Sequence, residues 1–453
     1  MKSVNPATGQ TIEAYEQMED SELAGIVHKA NATQQEWAGL SFTERAARLE
    51  KAAALLNANS TEYADLMARE MGKPLKQGVS ESEKCAWVCE YYAENAESFL
   101  SRESIETEGR SSYITYPPLG TVLAIMPWNF PFWQVFRFGA PALMAGNAIV
   151  LKHAPNVTGC ALAIESLMHE AGIPETLFRT VIADVDQTQE LIRHSDIHAV
   201  TLTGSTRAGK AVARQAGSVL KKTVLELGGS DPYLILEDAD IEHAAETCVN
   251  SRLLNSGQSC IAAKRFIAVE KIYDKFLDRV VEKMKAKTVG SPFDDDTDVG
   301  PMARLDLRDN LHRQVTESIE KGAEAVIGGT LPRSEGAFYP VTVLTNVHPG
   351  MPAYEEELFG PVASVLKVMN EEEAIQVAND THFGLGAAVF SNDLERAESI
   401  AANRLQAGCC FVNDFVKSDP RLPFGGIKES GYGRELSHVG IREFVNVKTV
   451  YVA

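Results

Sequence analysis

The chain has 453 residues, 45% of them hydrophobic and 23% charged, and carries a formal net charge of -19. Such a composition describes a soluble globular protein of roughly two or three domains with an ample core. The acidic balance excludes nucleic acid or an anionic membrane as the main partner, since both require a basic face, but it leaves room for a local basic pocket.

Residues 1–100 read as helices. The start, Met1 to Gly9, has no apolar core of the signal-peptide kind, so no secretory leader is expected. Ser41 and Glu44 form a capping box ahead of Ala46-Ala47-Arg48-Leu49. Gly72 and Pro74 stop a helix that begins near Thr61, and another helix runs to about Leu100. The longest uncharged run, which includes residues 116–136, contains Pro117, Pro118, Pro127 and Pro131 and suits strands and turns rather than a membrane helix. From there short apolar strands alternate with helices, with strands expected at 112–116, 121–126, 148–151, 180–182, 199–202 and 223–225. A second alternating set follows Gly229, with strands at 266–269, 325–327, 362–368, 387–390 and 410–412. The pattern predicts two α/β domains with mostly parallel sheets, Cys260 falling early in the second. The tail 445–452 alternates like a strand that pairs either in its own sheet or with a neighbouring subunit. Among the seven cysteines, Cys85 and Cys89 lie one helical turn apart and Cys409 adjoins Cys410. No Cys/His spacing reads as a zinc site, and a reduced, cytoplasmic setting is expected.

Chemistry-bearing residues cluster at the turns of this pattern. Cys260 ends Asn255-Ser-Gly-Gln-Ser-Cys260, and Glu226 sits in Leu225-Glu-Leu-Gly-Gly229, a potential thiol nucleophile and a potential general base, each near glycine. Glycine permits close backbone approach to a ligand. The turn Thr203-Gly-Ser-Thr-Arg-Ala-Gly-Lys210 joins a strand to a helix, where N–H groups and the helix dipole can hold a phosphate, although it does not match G-x-G-x-x-G. In Met126-Pro-Trp-Asn-Phe-Pro131, Asn129 either donates to an oxyanion or simply closes the turn. Lys152 ends the next strand, placed for a cofactor contact or for solvent. Glu357-Leu-Phe-Gly-Pro361 sets a carboxylate and a ring beside a rigid turn, and Pro423-Phe-Gly-Gly-Ile-Lys-Glu-Ser-Gly-Tyr-Gly433 is glycine-rich.

In this order and spacing, Pro-Trp-Asn-Phe-Pro, Leu-Lys152, Thr-Gly-Ser-Thr, Glu-Leu-Gly-Gly, Gly-Gln-Ser-Cys, Glu-Leu-Phe-Gly-Pro and Pro-Phe-Gly-Gly resemble the aldehyde dehydrogenase superfamily over nearly the whole chain. The resemblance implies a fold of a Rossmann-like cofactor domain (1–104 and 118–228), a catalytic domain (229–430), and an oligomerisation β-arm with the C-terminal tail (105–117 and 431–453). It implies oxidation of an aldehyde to a carboxylate with NAD or NADP and no metal. Cys260 would be the nucleophile, forming a thiohemiacetal and then a thioester. Asn129 and the Cys260 N–H would form the oxyanion hole, and Glu226 would activate the hydrolytic water. Cofactor contacts would come from Trp128, Lys152, Gly204, Ser205, Leu227, Glu357 and Phe359. Family members are usually dimers or tetramers.

Two departures bear on specificity. Pro155 stands where relatives that prefer NAD often carry a glutamate, so NADP is allowed, with His153 as a helper, and NAD is not excluded. Arg137 matches an arginine that binds the substrate carboxylate in succinate-semialdehyde dehydrogenases, though an interdomain salt bridge would also account for it. Those enzymes often carry a second arginine where this chain has Leu254. Ser418 falls near their substrate-binding serine, and Lys417 or Arg421 would supply the missing charge. The reading is a succinate-semialdehyde dehydrogenase; the alternative is a broad aliphatic or aromatic aldehyde dehydrogenase with Trp133 and Phe136 lining an apolar tunnel.

Overall fold

The computed structural model describes residues 1–333 and 335–453. Helices Asp20–Ala38, Phe42–Ala58, Ser60–Met71 and Leu75–Phe99 occupy the region where helices are expected. The Ser41 hydroxyl accepts from the Glu44 N–H while the Glu44 carboxylate accepts from the Ser41 N–H, closing the expected box. An antiparallel hairpin, Lys2–Val4 with Thr11–Ala14, precedes them and corrects the all-helical reading. Its strands are too short and polar to show an apolar period.

Beyond residue 120, two sheets carry the fold. In the first, Phe178–Thr180, Ala148–His153, Thr121–Met126, Ala199–Thr203 and Lys222–Glu226 lie side by side in that order, all parallel, and Gly431–Tyr432 adds an antiparallel edge. The chain runs outward from Thr121–Met126 to one side and then returns to the other. The crevice between the carboxyl ends of Thr121–Met126 and Ala199–Thr203 is therefore the topological switch point, where ligands of open α/β sheets bind. The strand expected at 180–182 is observed at Phe178–Thr180, although the Val181 N–H still bonds the Leu151 carbonyl.

The second sheet orders Glu324–Ile327, Thr342–Thr345, Val362–Val368, Arg265–Val269, Pro232–Ile235, Gly386–Phe390 and Cys409–Val412, parallel except for the first. Each sheet has its own apolar core. Leu436, Ile441 and Phe444 return the end of the chain to the first core. The tail strand Lys448–Val452 pairs antiparallel with Ser111–Thr115 of its own chain, and Glu103–Ser104 completes a three-stranded arm. No helix among the described residues is long and apolar enough to cross a membrane.

A buried ion pair in the helical layer holds the start of the helix that follows strand Thr121–Met126. Both Glu81 and Lys73 are buried side chains and form a salt bridge. One Glu81 oxygen also accepts from the N–H groups of Phe132 and Trp133, at 2.9 and 3.0 Å. It thereby caps helix Trp133–Met144, whose first N–H groups have no partner inside the helix and favour negative charge. The Lys73 ammonium packs 3.9 Å from the Phe130 ring. Glu81→Ala would strand the lysine charge and two N–H groups, with an expected loss of about 3–5 kcal/mol in urea unfolding. A loss under about 1 kcal/mol would show that this pair does not hold the turn.

Candidate active site

Cys260 follows an unusual stretch of backbone. Asn255, Ser256 and Gly257 all have positive φ, 55°, 56° and 76°, the first two being non-glycine residues in a costly region. At Gly257 a Cβ would fall 2.3 Å from the Gly360 carbonyl, so only glycine fits. Side chains around the run keep it in place. Buried Arg252 donates to the Gly257 carbonyl. The Asn255 amide donates to the carbonyls of Asn129 (2.7 Å) and Gln258 (3.0 Å). The Gln258 side chain accepts from the Ala303 N–H at 2.9 Å. Lys264 donates to the carbonyls of Ser259 and Cys260 at 3.0 and 2.8 Å. Sequence reasoning missed Arg252, Asn255 and Lys264, because their partners are chosen by the loop's three-dimensional path.

The Cys260 thiol is half-buried at a cavity, and burial pushes its pKa up to about 12 against the opposing pull of Arg137 and Lys264. The Cys260 N–H has no acceptor among the described residues. Asn129 is buried and its amide nitrogen donates to the Gln258 carbonyl at 3.2 Å, which brings the Pro-Trp-Asn-Phe-Pro turn onto the cysteine loop. Glu226, at the end of strand Lys222–Glu226, is buried, and neither carboxylate oxygen has a hydrogen-bond partner among the described residues. Burial raises its pKa well above the usual range, and the like charge of Glu435 adds to this while Arg137 and Arg434 oppose it. The Gly228-Gly229 pair after it is packed tightly: a Cβ on Gly229 would lie 2.7 Å from the Cys260 carbonyl. The segments bearing the thiol and the carboxylate are thus in contact.

The expected cofactor residues gather at the switch point. Gly204 and Ser205 lead into helix Thr206–Ser218, and the Ser205 hydroxyl caps it through the Ala208 N–H. The Gly204 N–H bonds the Glu226 carbonyl at 2.9 Å, and Leu227 packs against Gly209 of the same helix. Lys152 is half-buried without an ion-pair partner among the described residues, its pKa lowered by burial. Trp128 meets Phe359 edge-to-face, with centroids 5.7 Å apart. One Glu357 oxygen accepts from the Gly229 N–H at 3.0 Å and lies 3.5 Å from Lys264. His153 is a correction to the expected 2′-phosphate helper. Its Nε2–H donates to the Pro131 carbonyl and its Nδ1 accepts from the Ala154 N–H, so both nitrogens are occupied. Burial lowers its pKa to about 4, leaving it uncharged.

A cavity of about 340 Å³ opens beside Cys260. Arg137, Trp133, Lys417, Ser418 and Leu254 line it, together with Lys84 and Phe424, which the sequence reading missed. Arg137 is buried, ion-paired with Glu435, 3.3 Å from the Thr203 hydroxyl and 4.8 Å from the Phe424 ring centre. Arg137 forms a salt bridge, to Glu435 beside Leu436 of the first core rather than to the second domain, and it also walls the cavity. Arg421 is a correction: it is exposed, bound through two nitrogens to Asp419, stacked on Trp87, and outside the cavity lining. Phe136 is also corrected, being fully buried in the first core and not in the lining. Lys417 borders the cavity but is paired with Asp414 at 2.5 Å. One signal could have exposed Lys84: Gln77, Glu81 and Lys84 form a polar stripe at helical spacing on a helix otherwise packed through Val88, Cys89 and Tyr92.

A family model described as the aldehyde dehydrogenase family matches residues 1–450. The chain is 47% identical over 451 residues to a Synechocystis sp. protein named probable succinate-semialdehyde dehydrogenase (NADP(+)), covering 100% of this chain and 99% of that one. It is 46% identical to the Escherichia coli succinate semialdehyde dehydrogenase (NAD(P)+) Sad, covering 99% and 97%. Among solved structures, the succinic semialdehyde dehydrogenase of Streptococcus pyogenes in complex with NADP+ superposes with a TM-score of 0.97 at 37% identity, covering 100% and 99%.

The raised thiol pKa gives a direct expectation for the free protein. Alkylation of Cys260 by iodoacetamide, read by peptide mass spectrometry, should accelerate about tenfold per pH unit between about pH 7 and 9 without levelling off. A plateau near neutral pH would mean that the surrounding cations outweigh burial.

Proposed function

The chain belongs to the aldehyde dehydrogenase family, and from that premise we propose that it oxidises succinate semialdehyde to succinate with NADP or NAD. The observation that carries the substrate choice is the cavity at Cys260, whose wall combines Arg137, Lys84, Lys417 and the Ser418 hydroxyl. A neutral aldehyde needs no such group, whereas a short semialdehyde with a terminal carboxylate uses a cation and a hydroxyl at its far end. The names of the relatives support the same substrate. The rings of Phe130, Phe415 and Phe424 on the same wall favour the second reading, a broad aliphatic or aromatic aldehyde dehydrogenase.

The residues at the switch point fit a dinucleotide. Lys152 is a cation without a counter-ion among the described residues, the Gly204-Ser205 turn opens a helix N-terminus, and Trp128 and Phe359 offer ring faces. Lys152 and Glu357 would hold ribose, Gly204 and Ser205 the pyrophosphate, and Trp128, Leu227 and Phe359 the remaining contacts. The chemistry such a cofactor supplies when bound is acceptance of hydride from the substrate carbon.

Cys260 carries the covalent steps. Its thiol loses a proton to solvent, and the thiolate sulfur attacks the aldehyde carbon, giving a thiohemiacetal. The developing oxyanion is received by the free Cys260 N–H and the Asn129 amide. Loss of hydride leaves a thioester on Cys260. Glu226, whose proton affinity burial raises, takes a proton from water as the water attacks the thioester. The tetrahedral adduct then expels the thiolate, releasing the carboxylate product.

The sheet built from residues 121–226 is assigned to the cofactor and that built from 232–412 to catalysis, with the arm and tail joining copies of the chain into a homodimer or homotetramer. Exposed Tyr451 and Val452 on the tail strand support that contact. Seven unpaired cysteines accord with a cytoplasmic setting.

The test is kcat/KM for succinate semialdehyde against hexanal and benzaldehyde, each with NAD and NADP. A preference of about a hundredfold for the semialdehyde, roughly one charged contact, is expected. Equal values would transfer the assignment to the broad aldehyde reading.

A further inference from the structure

We propose that Lys84 is the cation that receives the substrate carboxylate, filling the role left open by Leu254; this rests on the semialdehyde reading above. Leu254, six residues before Cys260, lines the cavity and supplies no charge. The other cations nearby are already engaged. Arg137 is paired with Glu435, Lys417 with Asp414, Arg421 with Asp419 and Lys264 with Glu357. Among the described residues, Lys84 has no carboxylate within 4.0 Å.

Its setting is built for an anion. The ammonium donates to the Ser418 Oγ at 2.9 Å and lies 4.3 Å from the Trp133 ring centre. The Trp133 indole N–H donates to the same Oγ at 3.1 Å. The Ser418 hydroxyl thus accepts two hydrogen bonds, and its own O–H has no acceptor among the described residues. That O–H and the remaining ammonium N–H groups can bond the two oxygens of one carboxylate. Trp133 acts as a positioning residue that orients the hydroxyl.

The charge of Lys84 is itself labile. Burial lowers its pKa to about 8, Arg137 on the facing helix adds to the shift, and Glu81 and Cys85 on its own helix and Asp419 on the C-terminal loop oppose it. Lys417 is the remaining charged group of the cavity wall. Because the pKa is lowered, the cation is present below about pH 8 and lost above it.

The experiment compares wild type, Lys84→Met and Lys84→Arg on succinate semialdehyde and on pentanal, a neutral aldehyde of similar length. Lys84→Met should raise KM for the semialdehyde roughly thirtyfold with a much smaller effect on kcat and on pentanal, and Lys84→Arg should restore most of the loss. In the wild type, the semialdehyde-to-pentanal ratio of kcat/KM should fall above about pH 8, while the arginine variant stays flat. Equal losses on both substrates would assign Lys84 a purely structural role and overturn the proposal. A selective wild type whose preference survives Lys84→Met would overturn it alone; a wild type without preference would overturn the semialdehyde reading and this proposal together.

Discussion

Everything at the site depends on the backbone between Arg252 and Cys260 keeping its left-handed course. Two non-glycine residues in that region cost about 1–3 kcal/mol each and persist only when their surroundings over-determine them. Here the surroundings come from both halves of the molecule. Asn255 donates to the Asn129 carbonyl on the turn after Thr121–Met126 and to Gln258 in its own loop. Arg252 and Lys264 hold carbonyls on either side. One amide therefore joins the loop that ends in the thiol to the turn that carries the candidate oxyanion donor.

Burial and charge are balanced around that junction. Lys73 with Glu81, Arg137 with Glu435 and Lys264 with Glu357 each place a cation beside a carboxylate in or near the interior. Such pairs gain little net stability over apolar packing, but breaking one leaves an uncompensated charge. Glu226 stands apart: its oxygens have no hydrogen-bond partner among the described residues, and burial raises its proton affinity. A carboxylate so placed suits proton transfer better than stability. The structural pairs thus serve the architecture, and Glu226 serves the chemistry.

The sequence made much of this legible, for local reasons. Strands Thr121–Met126 and Val362–Val368 lie where their apolar runs place them, and the Ser41–Glu44 cap is written in four residues. Cys260, Glu226 and Asn129 stand out because glycines and prolines mark the turns that hold them. Pro232–Ile235 and Thr342–Thr345 escaped because strands of only four residues beside turn formers are too short to show a period. The engagement of Arg137 by Glu435 and of Lys84 by Ser418 was not readable, since the Lys84 contact joins residues 334 positions apart. Arg421 was misassigned because proximity in the loop says nothing of side-chain direction, and Asp419 two residues away holds it outside.

The most direct test of the account is to trap the acyl group. Glu226→Gln would be mixed with succinate semialdehyde and NADP, quenched in acid, and the cysteine peptides weighed. The account predicts one reduced cofactor per active chain and a succinyl thioester accumulating on the Cys260 peptide. Reduced cofactor without an adduct there, or an adduct on another cysteine, would contradict it.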